Sequence, residues 1–78
     1  MEEKVKELIT KPLENLNIRV DSISTLKENL NIVLDSDEVL DLDRIVEASH
    51  LINTILDEKS DIRDKYMIDI SSKEKGGN

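Results

Sequence analysis

The sequence predicts a small α+β domain with the order helix, strand, strand, helix, strand, in which two helices pack on one face of a three-stranded sheet. Two segments repeat apolar residues with the 3.6-residue period of a helix, and shorter segments alternate them with the period of two that a strand requires. The chain has 78 residues, of which 37% are hydrophobic, which is enough for a single core. Because apolar faces must be buried against one another, both helices are expected to cover the same face of the sheet.

The first element is an amphipathic helix near the N-terminus. Pro12 lies inside it, and a proline removes one backbone donor and clashes with the preceding helical turn. The apolar period continues through the proline, so we expect one helix that bends near Thr10. The apolar residues follow the spacing i, i+3, i+4, i+7, i+8, i+11, which forms one stripe: Val5, Leu8, Ile9, Pro12, Leu13 and Leu16.

Two strands follow and are predicted to form a hairpin. In the second strand, residues 30–34 place leucine and isoleucine on one face by strict alternation. In the first strand the parity of the apolar residues changes, which indicates a β-bulge near Asp21 and Ser22. We expect the turn at 27–29, with Asn29 as the residue best able to adopt a positive φ.

The second helix follows an acidic loop. Asp41 is the expected N-cap, and Asp43 in the first turn complements the helix dipole. A broad apolar arc should face the core: Leu42, Ile45, Val46, Ala48, Leu51, Ile52, Ile55 and Leu56. The opposite stripe should be solvated: Asp43, Glu47, His50, Thr54 and Asp57.

The last predicted strand closes the domain. Tyr66, Ile68 and Ile70 alternate with three more polar or flexible positions, and the apolar pattern then stops at Ser72. We therefore expect residues 1–72 to form one domain. Residues 73–78 contain the only two glycines of the chain and are expected to be a flexible tail.

The net charge of −7 lies almost wholly in the middle of the chain. Residues 35–64 carry three bases and ten acids, whereas residues 1–34 have a net charge of −1 and residues 65–78 have +1. Such a surface should repel nucleic acid and attract a basic partner. The chain has no cysteine and no apolar run long enough to span a bilayer, so we expect a cytoplasmic protein with no membrane partner.

The sequence contains no motif for catalysis or metal binding. The acidic run 35–43 resembles a calcium loop only in part, because Val39, Leu40 and Val46 occupy positions where an EF-hand needs a ligand, a glycine and an acid. His50 is the only histidine, so no zinc cluster can form around it. We expect no enzymatic activity, no cofactor and no metal.

Three stretches carry a family resemblance: ELITKPLENLNIRV, LDLDRIVEASHLINTILDEKSDI and YMIDISS. Within the second stretch the resemblance lies in the pairs Leu42-Asp43 and Leu56-Asp57 and in the step at 48–50. In this order and spacing, they resemble the N-terminal domain of the ribosome maturation factor RimP family over residues 3–72.

The resemblance implies a non-enzymatic assembly factor for the small (30S) ribosomal subunit. Its partner would be the pre-30S subunit, including a basic ribosomal protein. The family continues into a second, SH3-like domain where this chain has KEKGGN, so Ser71 and Ser72 would mark the interdomain junction and residues 73–78 the start of a linker. We expect the partner to bind an acidic surface that comprises Asp37, Glu38, Asp41, Asp43, Glu47, His50 and Asp57.

Two other functions are compatible with an α+β domain of this size. A KH-like RNA-binding module has a similar element order, but this sequence lacks the GXXG loop, stacking aromatic residues and a basic face. A small-molecule regulatory domain would need an apolar pocket with converging polar groups, which the sequence neither shows nor excludes.

Overall fold

The computed structural model describes residues 2–73 of the chain. It confirms the predicted element order and adds one short helix before the last strand. The order is α1 (Glu2–Glu14), β1 (Arg19–Leu26), β2 (Asn29–Asp35), α2 (Leu42–Lys59), α3 (Ile62–Lys65) and β3 (Met67–Ser72).

The three strands form one mixed sheet in the order β1-β2-β3. β1 is antiparallel to β2, and β3 is parallel to it. Parallel neighbours need a long crossover connection, which α2 and α3 supply here. The register aligns Leu30 with Ile68 and Ile32 with Ile70, so the alternating residues predicted for these strands share one face.

The core lies between that face and the helices. α1 contacts both β1 and α2, while α2 and α3 contact β3. The residues that form the core are Val5, Ile9, Leu13, Ile18, Leu30, Ile32, Leu34, Ala48, Ile52, Leu56 and Ile62. The predicted packing of the helices on one face of the sheet is thus confirmed.

Helix α1 continues through Pro12 and ends at Glu14. The helix is one element, as expected, but it stops before Leu16, which therefore does not belong to the helical stripe. Asn17 then adopts a positive φ of 59°, and the chain turns into β1. Asparagine tolerates this left-handed backbone better than most residues, which lets α1 end abruptly there.

The hairpin confirms the predicted bulge and corrects the predicted turn. The register shifts between Val20 and Ser22, which leaves one extra residue in β1. The turn has two residues rather than three, and it is Lys27 that has a positive φ, of 57°. Asn29 is already paired with Leu26 as the first residue of β2, so its backbone is extended.

The apolar arc of α2 is only partly buried. Ala48, Ile52 and Leu56 are inaccessible to solvent, whereas Leu42 is 76% exposed and Val46 is 58% exposed. At 100° per residue, Val46 is rotated by about 120° from Ile52, so it lies outside the strip that faces the sheet. The expectation that Leu42 and Val46 belong to the core was therefore wrong.

Candidate functional site

The loop between β2 and α2 is fixed to the end of α1 by a buried serine. Ser36 is fully buried, and its hydroxyl donates to the Asn17 carbonyl over 2.8 Å. The same oxygen accepts a hydrogen bond from the backbone N–H of Glu38 at 3.2 Å. This serine therefore holds the acidic loop in place at the start of the candidate site.

Arg19 neutralises part of this loop. Its guanidinium lies 3.1 Å from the buried carboxylate of Asp35 and 3.0 Å from the carboxylate of Asp37. The hydrogen bond to Asp37 is the largest effect that raises the pKa of Arg19, and the charge of Asp35 adds to it. Asp37 is consequently engaged within the domain.

Arg44 binds two further members of the predicted acidic surface. The Asp41 carboxylate accepts from the Arg44 backbone N–H at 2.9 Å, which confirms Asp41 as the N-cap of α2. The Arg44 guanidinium lies 3.5 Å from Glu38 and also donates to the Leu16 carbonyl. Asp41 thus caps the start of α2, and the Arg44 guanidinium joins α2 to Glu38 and to the segment that follows α1.

Asp57 also has a partner inside the domain. Its carboxylate forms an ion pair with Arg63 of α3. Four of the predicted surface residues therefore have internal partners.

Three predicted residues remain together on one stripe of α2. Asp43, Glu47 and His50 are exposed, and no described side chain forms an ion pair or hydrogen bond with them. Together with Leu16, Val46, Leu51 and Thr54 they line a surface groove of about 520 Å³ between the end of α1 and α2.

Residues 8–73 match the family model of the RimP N-terminal domain. The match includes the second half of α1, all three strands and the whole of the acidic surface. This chain belongs to the RimP family. RimP proteins are ribosome maturation factors, which assigns the domain a role in ribosome maturation.

The sequence did not identify the apolar residues that line the groove between the end of α1 and α2. Leu16 and Leu51 pack against the core, as expected, and also line the groove, whereas Val46 was assigned to the core and is exposed. The available signal was the width of the apolar arc of α2, because eight apolar positions exceed what one face of a sheet covers.

Ser71 and Ser72 are the last residues of β3, and both are exposed. They are aligned with Val33 and Leu34 of β2. The next residue is still attached to the sheet, because the Lys73 N–H donates to the Leu34 carbonyl over 2.7 Å. The rest of the predicted tail, residues 74–78, lies outside the described residues.

Within residues 2–73, no group of three or more His, Asp or Glu side chains could hold a metal ion. In the same residues, no helix is long and apolar enough to cross a membrane. The candidate site of this RimP domain is lined by carboxylates and aliphatic side chains of α2 together with Leu16.

Proposed function

We propose that this domain is a non-enzymatic assembly factor for the small ribosomal subunit and binds a basic ribosomal protein of the cytoplasmic pre-30S particle through its acidic surface. Membership of the RimP family supports the role in ribosome maturation. The choice of a basic partner is supported by the charge of residues 35–64, which hold ten acids and three bases.

The exposed carboxylates of α2 are the part of this surface best suited to an external partner. Asp37, Glu38 and Asp57 already have arginine partners. Asp43 and Glu47 have no cationic partner among the described residues, so their charge is available to a ligand. Complementary charge between two proteins chiefly speeds their association and selects the partner. Added salt screens this electrostatic attraction and so weakens binding.

Direct RNA binding is disfavoured by the same charges. Affinity for nucleic acid comes from Lys and Arg side chains that neutralise phosphates. The exposed side chains of α2 include four acids and only one lysine, and the acids repel a phosphate backbone. The domain would therefore contact the ribosomal precursor through protein rather than through RNA.

The test is binding of purified small-subunit ribosomal proteins, one at a time, to the wild-type chain and to the double variant Asp43→Lys/Glu47→Lys. We expect at least one basic protein to bind the wild type, and the double variant to weaken that binding about tenfold at low salt. Raising the salt from about 50 mM to about 200 mM should weaken wild-type binding and reduce the difference between the two chains.

A matched control is Glu3→Lys/Glu7→Lys on α1. It reverses the same number of exposed carboxylates on another helix, so it changes the net charge equally. Binding that both variants weaken equally would contradict a localised site, and binding that is insensitive to salt would contradict the electrostatic mechanism. Tighter binding of ribosomal RNA than of any ribosomal protein would favour the RNA-binding alternative.

A further inference from the structure

The groove beside α2 combines the exposed Val46 and the half-buried Leu16 and Leu51 with two carboxylates that have no described partner. Leu16 forms one wall, and residues Asp43, Val46, Glu47, His50, Leu51 and Thr54 of α2 form the other. The positions on α2 follow i, i+3, i+4, i+7, i+8, i+11, the stripe that a packed helix normally presents to a neighbour. No described element covers this stripe of α2, and Val46 therefore remains 58% exposed.

The spacing of this stripe suits a helical ligand. From Asp43 to Thr54 it extends about 16 Å along the axis of α2, or roughly three helical turns. Apolar anchors at such intervals, laid into a groove, are typical of the binding of an amphipathic helix.

The charges at the groove decide which helix can bind. A second copy of this chain would add its own Asp43 and Glu47 to the same interface, and each copy carries a net charge of −7. Like charges opposed across an interface cost affinity, and an anionic membrane or a nucleic acid would be repelled for the same reason. A cationic helix is attracted instead.

We infer that the groove binds a basic amphipathic helix of the ribosomal partner, and this rests on the proposed function. An apolar side chain of that helix contacts Leu16, Val46 and Leu51. Its lysines or arginines pair with Asp43 and Glu47. Charge guides the helix to the surface, and the apolar contact fixes its position.

The probe is a 14-residue amphipathic peptide of leucine and lysine, compared with a peptide in which glutamine replaces each leucine. We expect the leucine peptide to bind the 78-residue chain about five- to tenfold more tightly, and to shift the amide NMR signals of Val46, His50 and Leu51. Val46→Ser should remove most of the difference between the peptides. Leu42→Ser should preserve it, because Leu42 is 76% exposed on the same helix but does not line the groove.

Equal binding of the two peptides, or a preference that survives Val46→Ser, would overturn the inference. Sedimentation of the free chain as a dimer that Val46→Ser dissociates would show that a second copy is the occupant, which also overturns it. If Asp43→Lys/Glu47→Lys abolishes binding of a ribosomal protein while the peptides bind alike, only the groove inference fails. If the peptides differ as expected but no ribosomal protein binds, the proposed function and the ribosomal origin of the helix both fail, while the preference of the groove for a basic amphipathic helix stands.

Discussion

Single residues connect the fold to the acidic surface, and Ser36 is the clearest case. It is the smallest polar side chain in the buried set, and its one oxygen links the β2–α2 loop to the end of α1. Nothing in the sequence distinguishes it from the other serines, since the linkage joins residues 19 positions apart. A contact of this kind depends on the tertiary structure and has no local signature.

Replacing Ser36 with alanine should destabilise the domain by about 1–3 kcal/mol, because it removes the two hydrogen bonds that this buried hydroxyl makes to the backbone of Asn17 and Glu38. Urea denaturation followed by circular dichroism measures the change. Ser24→Ala provides the control, because Ser24 is exposed on β1 and should alter stability by less than about 0.5 kcal/mol. Equal effects of the two substitutions would argue against a structural role for Ser36.

The hairpin turn is a second feature that the local sequence does not determine. Asn29 has the higher preference for a positive φ, yet Lys27 adopts it, because the pairing of Leu26 with Asn29 leaves only two residues in the turn. The register of the strands is decided by packing of their apolar faces, and the turn residues follow from that register.

Lys27→Gly should therefore stabilise the domain by about 0.5–1 kcal/mol, since glycine adopts a positive φ without steric cost. Glu28→Gly should have the opposite effect, because Glu28 does not have a positive φ and glycine there only adds freedom to the unfolded chain. The measurement is the midpoint of thermal unfolding of both variants. A Glu28→Gly variant that is stabilised, together with a Lys27→Gly variant of unchanged stability, would refute this description of the turn.

Among the elements, α2 was predicted well at its N-cap, but the width of its buried face was predicted wrongly. The N-cap at Asp41 is a local feature, and it was read correctly from the sequence. The exposure of Val46 depends on how α1 and the sheet share the surface of the helix, which periodicity does not determine. The short helix α3 has only four residues, too few to produce a repeating pattern.

Asp41→Ala should lower the free energy of unfolding by about 1 kcal/mol, because it leaves the Arg44 N–H without its capping oxygen. Asp41→Ser should keep most of the stability, since serine also caps a helix. The measurement is the urea midpoint of each variant. An alanine variant as stable as the serine variant would show that the cap contributes little here.

At the scale of the whole molecule, the sequence predicted the element order better than it predicted which acids are available to a partner. The element order and the shared face of Ile68 and Ile70 followed from periodicity alone. The strand order and the internal pairing of Asp37, Glu38 and Asp57 did not, because they depend on where distant arginines are placed. The predicted acidic surface therefore reduces, for an external partner, mainly to Asp43 and Glu47.

The central claim is that these two carboxylates attach the domain to the pre-30S particle. Co-sedimentation of the chain with immature small subunits, at low and at moderate salt, measures this directly. We expect the wild type and Glu3→Lys/Glu7→Lys to co-sediment at low salt, both to dissociate as salt rises, and Asp43→Lys/Glu47→Lys to remain largely unbound. Co-sedimentation of Asp43→Lys/Glu47→Lys at the wild-type level would contradict the claim.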